Sequence, residues 1–414
     1  MPTSEELAFI ERIREQPDDD GPRLIFADWL DERGDPRGEF IRVQCALARL
    51  PDGDARRSNL ELAEHQLLES HQAAWTAPLA GLASDWTYRR GFIDSLSVTA
   101  VAFLERGGEI FRLGPVRRIR FVDSGHCFVK LVESPFLGKV REIDLCGSFL
   151  GNNGVSLLSR AKQLSRLELL HLGFNDLSDP ALKALADMPH LANLSELYLD
   201  DNRQIGPPGL RAIADSPYLG NLRRLDLGGN NLTETALKVL INGDALKKLD
   251  ALTLAGNQIG DGGAESLARS ELLDRMIARN SVLDLSRNNI GPLGARALAE
   301  SPRLEPLFAL KLDINVLGDQ GLTSLAQSPY LRNLRRLELQ ENRITDVGVM
   351  ALARSRLVET LDFIDLTGNF ITTESVQTLR EAGIAYNWRR EISIRHDPGL
   401  HLRLPGPALG PPVR

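Results

Sequence analysis

The sequence predicts an α/β repeat fold: an open horseshoe of stacked strand–helix units, parallel β-sheet inside and helices outside, preceded by a small α-helical domain. Three observations predict it. From about residue 140 to 380 the chain is written in copies of one stretch, of which Leu222-Arg-Arg-Leu225-Asp-Leu227-Gly-Gly-Asn230-Asn-Leu232 is the clearest. An asparagine slot recurs at Asn175, Asn202, Asn230, Asn257, Asn288, Asn315, Asn342 and Asn369, with Ser148 in an earlier copy; the steps are 27, 27, 28, 27, 31, 27, 27 and 27 residues. Each copy pairs a short run of alternating leucines with a longer helix-forming stretch. A fixed period of this size means units that bury their apolar faces on their neighbours.

That architecture reconciles 414 residues with the size limit on a single core. With 43% apolar and 25% charged residues the composition is that of a soluble folded chain. Asp plus Glu exceed Lys plus Arg by 56 − 49 = 7, which argues against non-specific attraction to nucleic acid or anionic lipid. No apolar run approaches the roughly 18–20 residues of a membrane span. The start, Met-Pro-Thr-Ser-Glu-Glu, lacks a signal-like basic and apolar pattern. Cys45, Cys127 and Cys146 are odd in number and widely spaced, with neither disulfide nor zinc spacing. Reduced thiols in a cytoplasmic protein are therefore expected.

The chain begins with Ser4 as a candidate helix cap, but Leu7 stands where a capping box wants Glu or Gln. Leu7, Phe9, Ile10 and Ile13 follow at near-helical spacing. Pro17-Asp-Asp-Asp-Gly21 makes a turn, Pro22 opens a second helix that Gly34 ends, and Pro36 opens a third running to about Leu50. A fourth covers roughly 56–74 and leads to Trp75. Phe26, Trp29 and Phe40 supply a core. The three aspartates do not read as a calcium loop, because Trp29 occupies the position of the closing glutamate counted from Asp18. Carboxylates in a turn ahead of a helix fit the helix dipole instead.

Glu6-Leu-Ala-Phe-Ile-Glu-Arg-Ile-Arg-Glu-Gln-Pro17, Pro22-Arg-Leu-Ile-Phe-Ala-Asp-Trp-Leu-Asp-Glu-Arg-Gly-Asp-Pro36 and Glu39-Phe-Ile-Arg-Val-Gln44 resemble the bacterial repeat-companion domain. The run Leu67 to Trp75 and Arg90-Gly-Phe92 look like its continuation. The resemblance covers residues 5–92 and implies a short module ahead of a repeat array, with no activity attached.

Residues 93–139 read as one or two degenerate capping repeats: Ile93–Val98 and Val116–Phe121 alternate like strands, 100–106 holds one or two helical turns, and Ser124 falls where an asparagine would. From 140 to 380 about nine units carry Leu-x-x-Leu-x-Leu-x-x-Asn, which is similar to the ribonuclease-inhibitor class of leucine-rich repeats. An inward asparagine is expected to bond backbone groups that the turn leaves unpaired. The departures are Ser148, one extra residue before Ile205, Asn280 in a leucine slot, and a longer 258–288 unit that marks a bulge or extended helix near 271–280. Strands at about 4.8 Å and helices at about 8–10 Å cannot stack without curving, sheet inward. Residues 381–396 are expected to cap the last repeat, and 397–414, rich in proline, to form a disordered tail.

No phosphate loop, nucleophile elbow, kinase signature or metal-spaced His/Cys cluster occurs. No catalytic, cofactor or metal residue is assigned, and the chain is expected not to be an enzyme. The informative positions are the outward ones between the leucines. The central slot runs Asp144, His171, Tyr198, Asp226, Thr253, Asp284, Lys311, Glu338 and Asp365; flanking slots add Phe174, Asp200, Asp201, Arg287, Asp313 and Glu341. Aromatic side chains among carboxylates on a rigid sheet suit a protein partner with a basic surface. The alternative for Asp in this slot is that it only keeps the sheet soluble. A monomeric, non-enzymatic scaffold that binds protein, and neither nucleic acid nor membrane, is expected. A second class, a regulator of another enzyme, enters because similar repeats occur in ribonuclease inhibitors and Ran GTPase-activating proteins.

Overall fold

A computed structural model describes residues 3–51, 53–381 and 391–393. Contacts divide the chain into two compact units, Met1–Leu172 with Pro189–Leu194, and Gly173–Met188 with Ser195–Arg414.

The first unit opens with α1 (Ser4–Glu15), α2 (Gly21–Asp31), α3 (Arg37–Arg49) and α4 (Arg57–Thr76). The cap of α1 is Thr3 rather than Ser4. Counted from Thr3, the third helical residue is Glu6, so the capping box is complete: Thr3 Oγ1 accepts from the Glu6 N–H at 3.2 Å and Glu6 accepts from the Thr3 N–H at 2.7 Å. Ile10, Ile13, Phe26, Ala27, Leu30, Ile41 and Cys45 form a buried core together with Phe92, whose ring lies 5.9 Å from Phe26. Phe40 meets Trp75 and Tyr88 at 5.1 and 5.2 Å.

Phe92 starts β2 (Phe92–Thr99), which pairs antiparallel with β1 (Asp85–Arg89). Strand β1 was not legible in the sequence, because it buries no face fully. The hairpin turns on Arg90 and Gly91, both left-handed; a Cβ on Gly91 would lie 2.3 Å from Ile41 Cγ1. Helix α5 (Ala100–Leu113), capped by Thr99, is longer than the one or two turns expected. Then come β3 (Arg118–Val122), α6 (Phe128–Glu133), β4 (Glu142–Asp144), α7 (Gly151–Leu157) and β5 (Leu169–His171). Strands β2 to β5 run parallel, with Leu96, Ile119, Ile143 and Leu170 in register and buried. Arg14 of α1 donates to the carbonyls of Phe111 and Gly114 at 2.8 and 3.4 Å, so the helical segment is tied to the strand–helix segment after it.

The second unit alternates strand and helix: α8 (Asp179–Ala186), β6 (Glu196–Tyr198), α9 (Pro207–Ala214), β7 (Arg224–Asp226), α10 (Glu234–Ile241), β8 (Ala251–Thr253), α11 (Gly260–Ala268), α12 (Glu271–Arg279) and β9 (Val282–Asp284). It continues with α13 (Pro292–Ala299), β10 (Ala309–Lys311), α14 (Gly318–Ala326), β11 (Arg336–Glu338), α15 (Asp346–Ala353), α16 (Leu357–Thr360), β12 (Phe363–Asp365), α17 (Thr373–Leu379) and β13 (Glu391–Ser393). Strands β6–β8 and β9–β13 are parallel ladders. Leu197, Leu225, Leu252, Leu283, Leu310, Leu337 and Ile364 point inward. Where a bulge or extended helix is expected near 271–280, the chain forms a separate helix, α12, which starts after Ser270 instead of continuing α11. The expected cap over 381–396 is described at Glu381 and in β13, which pairs with β12; its other residues and the expected tail lie outside the described residues.

Three polar ladders hold this unit together. The asparagines form the first, all eight being buried. Asn257 Oδ1 accepts from the Asn230 and Leu232 N–H groups at 3.0 and 2.9 Å, while its Nδ2 donates to Leu227 and Leu254 carbonyls at 2.9 Å. One amide thus satisfies backbone groups of two consecutive turns, the role expected from sequence. The slot just before each asparagine is left-handed, and where it holds Phe174, Asp201, Arg287, Ile314 or Glu341 the N–H bonds a carbonyl of the next unit at 2.7–3.0 Å. Helix starts carry the second ladder: Asp179 Oδ1 accepts from Gly206 and Gly209, Asp261 from Gly291 and Gly294, and Asp319 from Thr345 and Gly348, each at 2.7–3.0 Å. A carboxylate of one unit thereby caps the next unit's helix. In the third, Ser216, Ser301 and Ser328 donate to Ala186, Ala268 and Ala299 carbonyls at 2.5–2.6 Å.

Candidate functional site

In a strand, alternate residues share a face. The leucines of the second unit's strands face the helices, so the residues between them form an outward row: Tyr198, Asp226 and Thr253 in register on β6–β8, and Asp284, Lys311, Glu338 and Asp365 on β9–β12. In the first unit the same row holds Arg120, Asp144 and His171.

The aspartates have a local duty. Asp226, Asp284 and Asp365 each accept, through Oδ1, the backbone N–H two residues on, at 2.9, 3.0 and 2.9 Å, and Asp144 does the same for Cys146 at 3.0 Å. This Asx turn closes the strand end. It gives the recurring aspartate a structural reason distinct from solubility. Glu338 is one methylene too long for that turn. The Gln340 N–H of its unit is taken instead by Asp313 Oδ1 of the preceding unit, at 2.8 Å.

Around Asp313 the charges accumulate. Burial, with Glu338, Asp365 and Asp284 nearby, pushes its carboxyl up to about 6 despite the Gln340 bond. Glu338 is met by Arg336 at 2.5 Å and by Lys311 at 3.6 Å, and Asp365 Oδ2 accepts from Gln340 Nε2 at 2.7 Å. Arg287 and Glu341 stand exposed beside this group. Among the described residues, no cluster of three or more His, Cys, Asp or Glu is arranged to hold a metal.

Tyr198 is half-buried. Its hydroxyl donates to Glu196 at 2.8 Å; burial first, and that bond second, push the phenol up to about 12. Phe174 is 54% exposed on a left-handed residue, and its N–H donates to the Asp200 carbonyl at 3.0 Å. Asp201 lies 3.7 Å from Arg203. In the first unit, His171 Nδ1 is 3.4 Å from Asp144 Oδ1. Burial opposes ionisation of Asp144, yet His171 and the Cys146 N–H hold its carboxyl down to about 2.

Sequence reasoning missed the outward residues two positions before each central slot. Glu196 takes the Tyr198 hydroxyl, and the Arg336 guanidinium sits 4.3 Å over the Phe363 ring while bonding Glu338. The period of two that marked the central slot marks these as well. The Asp18–Asp20 turn is engaged with arginines: Asp18 with Arg89 and Arg117, Asp20 with Arg49 and Arg90.

Family models described as Leucine Rich repeat match residues 165–186, 190–214, 245–268, 281–299 and 330–353, and one described as Leucine Rich Repeat matches 221–242. A search of the curated proteins finds no match to the chain. No helix among the described residues is long and apolar enough to cross a membrane. The chain carries leucine-rich repeats, a module that generally mediates protein–protein interaction, in a mixed α/β arrangement with parallel strands.

Proposed function

We propose that the protein is a non-enzymatic interaction scaffold whose repeats, of the ribonuclease-inhibitor type, curve into a horseshoe and grip a protein partner on the concave sheet face. The observation that carries this reading is the outward row of the second unit. It combines the half-buried Tyr198 and exposed Phe174 with the carboxylates of Asp284, Asp313, Glu338 and Asp365. A basic partner surface would relieve the mutual repulsion around Asp313, while an aromatic anchor supplies desolvated contact area. Residues 1–92 are proposed as a companion module of the bacterial type, and the chain as a cytoplasmic monomer. Regulation of an enzyme through the same face, inhibitor-like or GTPase-activator-like, is the second reading.

The test uses the full chain as bait in native lysate, beside a triple variant Asp226→Lys, Asp313→Lys, Glu341→Lys and a helix-face variant Arg211→Glu, all checked for equal melting. Proteins of basic surface held by the parent and by Arg211→Glu, but lost from the triple variant, support the reading. An identical set on all three places binding elsewhere.

A further inference from the structure

We propose that the second unit consists of two cooperative blocks, β6–β8 with α8–α11 and β9–β12 with α13–α17, joined at a seam between β8 and β9 that opens while each block stays folded. The sheet is interrupted there: β8 ends one ladder and β9 begins the next. At the regular junctions described in this unit, the residue after the strand donates its N–H to the next strand. Leu199 bonds Asp226, Leu227 bonds Thr253, Leu285 bonds Lys311, Leu312 bonds Glu338 and Leu339 bonds Asp365, at 2.8–3.1 Å. Among the described residues no such bond joins Leu254 to Asp284.

The asparagine ladder breaks at the same place. Asn202, Asn230, Asn257, Asn315, Asn342 and Asn369 each accept through Oδ1 from the preceding turn. Asn288 is fully buried, yet its Oδ1 has no hydrogen-bond partner. A buried acceptor left unpaired destabilises the place where it sits. The cause lies in the 31-residue step and Asn280. Helix α12 inserts at the strand starts, where Arg275 Nε donates to the Leu249 carbonyl at 3.0 Å and Arg279 reaches Asp250 at 3.1 Å. At regular junctions the N–H pair that opens the next strand bonds the carbonyl of the residue just before the strand, as Phe308 and Ala309 do with Ser281; among the described residues no such pair reaches the Asp250 carbonyl.

The helix side stays joined. Asp261 Oδ1 accepts from Gly291 and Gly294 at 2.7 Å, as at the regular junctions. Three bonds survive past the strand ends: Gly256 N–H to Ser286, Gly260 N–H to Asn288, and Asn288 Nδ2 to Leu254. The fold therefore has a hinge on its helix side and a weak zipper on its sheet side. Opening would change the spacing of Thr253 and Asp284 on the outward row without unfolding either block. Repeat arrays are sums of units and interfaces, so one weak interface divides their cooperativity.

Native-state hydrogen exchange of the full chain, read by mass spectrometry, tests this. Amides at 252–259 are expected to exchange at least tenfold faster than their equivalents at 225–232 and 310–317. Leu310→Ala should then speed exchange at 310–366 and leave 197–227 unchanged, and Leu225→Ala should do the reverse. Equal protection across the seam, or a loss that spreads through the whole unit in both variants, overturns the proposal. If one variant fails to fold, the parent profile and the other variant still decide.

Discussion

The turn slots of the two units are filled differently. In the first unit they hold Ser124 and Ser148, both buried, and neither hydroxyl has a hydrogen-bond partner. In the second unit they hold asparagines, and Asn257 alone makes four bonds to backbone groups of two consecutive turns. A hydroxyl reaches one neighbour; an amide reaches two, with an acceptor and a donor on opposite edges. The slot therefore works as a staple only where the side chain spans the distance between consecutive turns. With serine it is a small filler.

The largest effect that would break this contrast is expected at Asn257→Leu. It keeps the volume and orphans the Asn230 and Leu232 N–H groups and the Leu227 carbonyl, while the Leu254 carbonyl keeps Asn288 Nδ2. Denaturant titration should show a loss of roughly 3–5 kcal/mol. Next comes Asp319→Ala, which removes the carboxylate from the Thr345 and Gly348 N–H groups at 2.8 and 3.0 Å. A loss of about 1–2 kcal/mol is expected, the scale of a helix cap; no change in the midpoint would demote that ladder to decoration.

Asp313→Asn sharpens the comparison through pH. With a folded value of about 6 against 3.8, the folded carboxyl holds its proton more tightly than the unfolded one. Its contribution is complete below about pH 4 and is lost as pH rises through about 6. Asparagine keeps an acceptor for the Gln340 N–H and removes the charge. The variant should be more stable than the parent at pH 7, by roughly 1 kcal/mol after allowing for solvent screening, and the difference should vanish near pH 4. The smallest effect belongs to Ser124→Ala: deleting an unpaired buried hydroxyl should leave stability unchanged or raise it by up to about 1 kcal/mol. A clear loss there would mean the serine staples its turn as an asparagine does.

The period, the strand and helix order after residue 140 and the inward asparagines were legible because each repeats, and repetition separates signal from composition. Helix α12 was legible from two local departures, Asn280 and the 31-residue step. Strand β1 was not, since Asp85–Arg89 lacks a buried face, and Thr3 was missed as a cap because the box was counted from Ser4. The helix-capping aspartates escaped notice for a different reason. Asp179 and Gly206 are 27 residues apart, and their bond exists only once the units are stacked. On the outward row, the central residues were read and their partners Glu196, Arg336 and Phe363 were not, although the same strand period marks them.

Photo-crosslinking tests most directly whether the partner meets the outward row of the sheet or the helices. A benzoylphenylalanine placed at Thr253, exposed on the outward row between Asp226 and Asp284, is compared with one at Arg211, exposed on α9. Irradiation in native lysate should yield a discrete protein adduct from position 253 and none from position 211. Adducts from 211 alone would contradict the account and move the interaction surface to the helices.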